Sequence, residues 1–203
     1  VLCYDREKSD LICESPKPIR IHNKKLGYHV LFYLKEARIS FRGTTIDPLS
    51  YRESAIFGFT SFTDLSKRAD QFKKARKKAF EVSANPFWLA FLKDKLKENN
   101  YYFYIDKVLL ELDEYFKITE EPEDYKVELI KRPVVADFNG NDVPAFFNVT
   151  HVVKKEERSL FYVMAPEFKI NRNGFLLNSQ SILYGGYFAD LKIGDMLPID
   201  YQP

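Results

Sequence analysis

Cysteine, histidine and glycine are scarce in this chain, and their scarcity removes most of the familiar site chemistry. Two Cys, ten positions apart with no partner pair, do not make a structural zinc motif. Three scattered His (His22, His29 and His151) show no HxxxH or HxH spacing. The eight Gly stand singly apart from Gly185-Gly186, so there is no glycine-rich phosphate loop, and no GxSxG elbow occurs. Asn171-Arg172-Asn173-Gly174 lacks the acidic ligands and the distal Glu of a calcium loop and reads as a turn. No apolar run approaches the roughly 18–20 residues of a membrane-spanning helix. None of these patterns calls for a metal or a cofactor.

What is present is a globular composition rich in rings. A hydrophobic share of 45% and a charged share of 30% belong to a folded chain rather than a disordered one. Eighteen Phe and thirteen Tyr suit half-buried strand faces. At 203 residues the chain can bury one good-sized core or two small ones. It reads as a single domain, 1–203, with a strand-rich part (1–65), a helical part (66–100) and a second strand-rich part (101–203). It opens in mid-pattern at Val1-Leu2-Cys3-Tyr4, which predicts a processed or trimmed product.

The strand signals are local. Residues 1–5 and 11–15 flank a polar loop, and a loop centred on Lys8 sets Cys3 opposite Cys13. That facing pair is a candidate disulfide; the other reading is two small apolar side chains on one strand face. Tyr28–Phe41 alternates for 14 residues with a slip near Glu36, which predicts a bulge. Ala55–Phe62 is a further aromatic strand. In the second half, strands are expected at 101–105, 108–112, 125–130, 134–138, 145–153, 159–164, 168–170, 175–177 and 182–188. Turns fall at Asp106-Lys107, Asn139-Gly140 and Asn171–Gly174. Many short strands with such punctuation predict an α+β fold: mainly antiparallel sheet, sandwich-like, with a two-helix insert at about 66–100.

The insert has its own signals. Ser66 is a candidate N-cap for a helix over Lys67–Val82, whose apolar stripe is Ala69, Phe72, Ala75, Ala79 and Phe80. A second helix is expected with Asn85 as cap and Pro86 at its first position, carrying Trp88, Phe91, Leu92 and Leu96 on one face. The stretch Ser83–Asp106, with the only Trp, joins the two strand-rich parts and reads as structural. Lys67–Lys97 holds ten Lys or Arg against three acids, a net of +7, and Asp106–Glu128 holds nine acids against three Lys, a net of −6. Blocks that nearly cancel read as mutually complementary solvated faces rather than as a nucleic-acid surface on 67–97.

Four stretches resemble a family. They are PIRIHNKKLGYHVLFYL (Pro18–Leu34), IFGFTSFTDL (Ile56–Leu65), RKKAFEVSANPFWLAFLKDKLKENNYYFY (Arg76–Tyr104) and the terminal FKINRNGFLLNSQSILYGGYFADLKIGDMLPIDYQP. Together and in order they resemble Gram-negative (Bacteroidetes-type) cell-envelope proteins that carry a carboxypeptidase-like regulatory domain. The match is to the region downstream of that domain. Departures include Ala84–Trp88 in place of the family's Gly-Ser…His-Phe-Leu wording, and Lys192 and Gly194 where Arg and Ala are usual. The resemblance implies an exported, periplasmic or outer-membrane-associated protein and no catalytic residues.

Three functions are consistent with this reading. The first is a non-enzymatic envelope module that binds a protein or glycan partner, with Tyr102, Tyr104, Tyr184 and Tyr187 as candidate contacts near strand ends. The second is an enzyme acting on envelope polymers through His151, Asp137 and Asp142. The third is nucleic-acid binding by the basic helices. Acid pairs such as Asp113/Glu114 and Glu120/Glu121 read as solvated loop charge rather than a glycosidase pair, and Asn148-Val149-Thr150 fits the glycosylation triplet inside an expected strand.

Overall fold

The structure is a computed structural model of the chain, and it describes residues 1–68, 70–151, 157–191 and 193–202. Ala69 of the expected apolar stripe, Val152 and Val153 of the expected strand, and Lys192 therefore lie outside the described residues. The architecture is α+β, mainly antiparallel sheet and sandwich-like. It divides into two compact units, Val1–Lys73 and Lys74–Pro203. No helix among the described residues is long and apolar enough to cross a membrane.

The first unit is one five-stranded antiparallel sheet: β1 (Leu2–Asp5), β2 (Asp10–Cys13), β3 (Ile19–Asn23), β4 (Tyr28–Phe41) and β5 (Tyr51–Asp64). β4 is the spine. It pairs with β5 along its whole length, and on its other side with β3 in its first half and β2 in its second. Period-two alternation turns Tyr28, Val30, Phe32 and Leu34 to the buried face and leaves Tyr33 exposed. The slip near Glu36 is a bulge: the register shifts between Leu34 and Glu36.

The candidate disulfide is corrected by register. Asp5 Oδ1 accepts hydrogen bonds from the backbone N–H of Glu7 (3.0 Å) and Lys8 (3.2 Å), so Asp5↔Asp10 closes the hairpin and Ser9 takes φ +57°. This shifts the ladder by one residue. Cys3 faces Ile12 and Cys13 faces Leu2, which puts the two thiols on opposite faces, and both are free.

The second unit stacks two sheets. The larger runs β15-β13-β12-β6-β7, built from β6 (Tyr101–Ile105), β7 (Val108–Leu109), β12 (Phe147–His151), β13 (Glu157–Val163) and β15 (Ile182–Gly186). The smaller runs β14-β9-β8, from β8 (Phe116–Glu120), β9 (Asp124–Leu129) and β14 (Glu167–Asn171). A hairpin of β10 (Val134–Ala136) and β11 (Asp142–Pro144) closes at the Asn139-Gly140 turn. Rings bind the sheets: Phe116 lies 5.0 Å from Phe147, and Phe103 stacks on Phe147 and Phe161 at 5.1 and 6.0 Å.

Two helices precede these sheets: α1 (Lys73–Glu81) and α2 (Asn85–Leu92). The first is shorter than Lys67–Val82 because Ser66 is not its cap. The Ser66 N–H and hydroxyl both donate to Asp64 Oδ1, and the Lys67 N–H donates to Gln71 Oε1, which holds 66–71 in turns. At α2 the cap position is Ala84, with no side-chain cap bond; instead the Ser83 hydroxyl accepts from the Asn85 N–H at 3.2 Å. Phe87, Trp88 and Phe91 are fully buried, and Trp88 reaches Phe161 of one sheet (5.2 Å) and Phe168 of the other (5.7 Å). The stretch around Trp88 is thus core, as its apolar stripe predicts.

Candidate functional site

Alternation decides which rings stay outside the larger sheet. Tyr101, Phe103 and Ile105 point into the core, so Tyr102 and Tyr104 point out. Register then assembles a surface that spacing alone does not reveal. Tyr102 pairs with Thr150 and Tyr104 with Asn148; on the next strand Arg158 faces Thr150 and Leu160 faces Asn148. Further along, Tyr162 faces Leu183, and Phe146 packs on Tyr162 with ring centroids 5.5 Å apart.

The result is one outer sheet face bearing three Tyr, one Phe, an amide, a Thr hydroxyl and a guanidinium. Tyr102 is 47% exposed, Phe146 39% and Leu183 37%. Two contacts hold it in shape. The Tyr104 hydroxyl and Thr150 Oγ1 are 2.9 Å apart, and Asn148 Nδ2 donates to the Phe146 carbonyl at 3.3 Å. Rigid rings beside hydrogen-bonding groups on regular strands suit the recognition of another surface, since Tyr offers contact area with little conformational entropy to lose.

The other two candidate tyrosines lie elsewhere. Tyr184 is on the core side of β15, where its hydroxyl accepts a 2.7 Å hydrogen bond from Trp88 Nε1. Its ring keeps some solvent contact, but burial of the hydroxyl raises its pKa well above the ordinary phenol value. Tyr187 begins the short helix α3 (Tyr187–Asp190) and lines a water-sized cavity of about 10 Å³ with Glu81, Ser83, Tyr101, His151 and Ser159. The sequence singles out Asn148 and Thr150 only through the glycosylation triplet, and it does not mark Tyr162 or Phe146 as contacts. Period-two alternation along 145–153 and 159–164 marks them as outward, but strand neighbours are needed to bring them together.

The histidine and acid candidates have different local roles. His151 stacks on Tyr101 at 4.4 Å beside that small void, whose lining includes neither Asp137 nor Asp142. Asp137 closes the β10–β11 hairpin: its Oδ1 accepts from the backbone N–H of Asn139 and of Asn141, each at 2.8 Å. Those bonds, led by the one from Asn141, lower its pKa. Among the described residues no three His, Cys, Asp or Glu gather closely enough to hold a metal ion.

Four of the nine acids of the acidic segment (Glu120, Glu121, Asp124 and Glu128) pair with Lys or Arg in or beside the smaller sheet. Arg172 holds Glu120 (2.9 Å) and the carbonyls of Pro122 and Glu121, and lies over the Tyr125 ring. Lys169 binds Glu121 and Asp124, and hydrogen bonding to Glu121 raises its pKa. Lys126 bridges Glu167 (2.8 Å) and Glu128 (3.1 Å), which lowers the Glu128 pKa. From the basic stretch, Lys97 pairs with Glu111 at 3.2 Å. Lys73, Lys74, Lys77 and Lys78 of α1 are exposed. These surface pairs each contribute little stability.

No protein-family model, curated protein or solved structure matches this chain.

Proposed function

We propose that this protein is a non-enzymatic cell-envelope module that binds a protein or glycan partner through the outer face of the larger sheet. The single observation that carries the reading is the gathering of Tyr102, Tyr104, Tyr162 and Phe146 with Asn148, Thr150 and Arg158 on that face. The envelope setting rests on the resemblance of Pro18–Leu34, Arg76–Tyr104 and the terminal stretch to envelope proteins. Against an enzymatic reading stands the dispersal of its named groups: Asp137 is engaged in a turn, and His151 faces a void that holds about one water.

A partner on this face meets aromatic edges and hydroxyls together. Sugar rings present an apolar face flanked by hydroxyls, and a protein edge presents side chains and amides; both match such a surface. The test is calorimetric titration of the chain with soluble envelope polysaccharide and peptidoglycan fragments, and with purified envelope proteins. Binding that weakens about tenfold in Tyr102→Ala, with unchanged melting temperature, supports the proposal. Binding indifferent to Tyr102 contradicts it, and release of cleavage products would favour the enzymatic alternative.

A further inference from the structure

The longest sheet edge in the first unit is also its least protected. β5 pairs with β4 on one side, and among the described residues no strand pairs with its other side. Several other edges are short or charged, as free strands usually are. β1 has four residues and β7 two, while β8 and β14 carry Lys117, Glu120, Glu167 and Lys169. β5 has fourteen residues, with neither charge nor proline from Ser54 to Thr63. It exposes Ile56 (62%), Phe57 (37%) and Phe59 (54%).

We propose that β5 is a homodimer interface, pairing antiparallel with β5 of a second copy about a two-fold axis at Gly58. Only registers that match residues of the same parity keep Phe57 and Phe59 of both copies on one face. Centring on Gly58 places Phe57 opposite the second copy's Phe59, twice, and Ala55 opposite the second copy's Ser61, twice. It also brings Arg52, at the bulge near the start of β5, close to the Asp64 carboxylate at the far end of the second copy, again twice. Arg52 pairs with its neighbour Glu53 at 3.0 Å, and the Asp64 carboxylate already accepts from Ser66. Centring on Phe57 would set Arg52 against Phe62, and centring on Phe59 would set it against Ser66; either loses both charge pairs. The interface is isologous, as a two-fold requires, with aromatic pairs inside and opposite charges at the rim.

Gly58 suits the axis. A Cβ there would lie 2.5 Å from the Phe32 ring and 2.7 Å from the Tyr33 carbonyl oxygen, so β4 already fixes this position as glycine. β5 belongs to the first unit and the tyrosine-bearing sheet face to the second, and a dimer carries that face twice, which raises the avidity for a repeating partner.

Sedimentation equilibrium of the whole chain tests the proposal, with a dimer expected. Phe59→Lys introduces a charge of the kind that protects edges and should weaken the dimer by about tenfold or more. Circular dichroism checks that this exposed substitution leaves the fold intact. The register is read by Ala55→Cys/Ser61→Cys in a Cys3→Ser/Cys13→Ser background. Within one chain these positions are about 20 Å apart, whereas the proposed pairing brings them within disulfide reach of the second copy. The double variant should form an interchain disulfide on oxidation and each single variant should not. A chain that sediments as a monomer throughout, a dimer indifferent to Phe59→Lys, or a dimer that does not cross-link in the double variant would overturn it.

Discussion

Trp88 and Tyr184 answer each other's need for a partner. A fully buried indole must place its N–H, and Tyr184 Oη, enclosed on the core side of β15, takes it at 2.7 Å. Tyr184→Phe keeps the ring packing but leaves the N–H unsatisfied, a loss of about 1–3 kcal/mol. Urea unfolding followed by Trp88 fluorescence measures it. The same hydroxyl gives an alkaline signature. Its pKa is raised in the folded state, so its contribution is whole below the unfolded phenol pKa of about 10 and is lost as pH rises above that value. Tyr184→Phe should therefore flatten the decline in stability above pH about 10.

Gly174 is held to glycine by both its backbone angle and its neighbours. It sits at φ +83°, and a Cβ there would meet the Asn85 carbonyl oxygen at 2.5 Å, a backbone atom that cannot swing aside. Gly174→Ala should cost about 2 kcal/mol or more, read as a fall in the denaturant midpoint.

Elements were legible where the determinants are local. The 14-residue alternation of β4, its bulge beside Glu36, the two-residue loop at Asp106 (φ +52°) and the Asn139-Gly140 hairpin all follow from residues within a few positions. Misreadings arose where a side chain competed for the backbone. Asp5 caps its own loop and moves the β1–β2 register by one, which separates Cys3 from Cys13. Asp64 captures Ser66 and delays α1 to Lys73. β8 (Phe116–Glu120) carries a weak strand signal because its charged, solvent-facing residues mask a strand whose partner, β9, lies across a Pro122 turn. Tyr187 falls in a helical turn after Gly186 takes φ +62°, not at the end of a longer strand.

One such side chain gives a pH-dependent signature. The Asp137 pKa is lowered by the backbone bonds it accepts, so the hairpin contribution is present above the ordinary carboxylate value of about 4 and is lost as pH falls through the folded value. The amide resonances of Asn139 and Asn141 should shift together with a midpoint below that ordinary value. Asp137→Asn should abolish the shared titration.

Across the whole molecule, the fold class was readable from strand density and turn chemistry, whereas the candidate site was readable only in part. Tyr102 and Tyr104 lie two apart on one strand, and their alternation against buried Tyr101, Phe103 and Ile105 marks them as outward. Tyr162 and Thr150 join them only because β6, β12, β13 and β15 are neighbours in that order, a non-local pairing that no short spacing encodes. The charge blocks were similarly half-legible. Their near cancellation is visible in the sequence, but some of the acids find Lys126 and Lys169 on strands of their own sheet and Arg172 in the turn after β14, and Lys97–Glu111 links the two blocks.

The central claim is that the outer face of the larger sheet, and not the basic helix, meets the partner. Its most direct test is one calorimetric titration series against an envelope glycan or protein that binds the parent chain, comparing Tyr102→Ala/Tyr162→Ala with Lys73→Glu/Lys77→Glu. The account predicts that the tyrosine pair loses affinity by about tenfold or more while the lysine pair leaves it unchanged at physiological salt. Affinity kept by the tyrosine variant and lost by the lysine variant would contradict it.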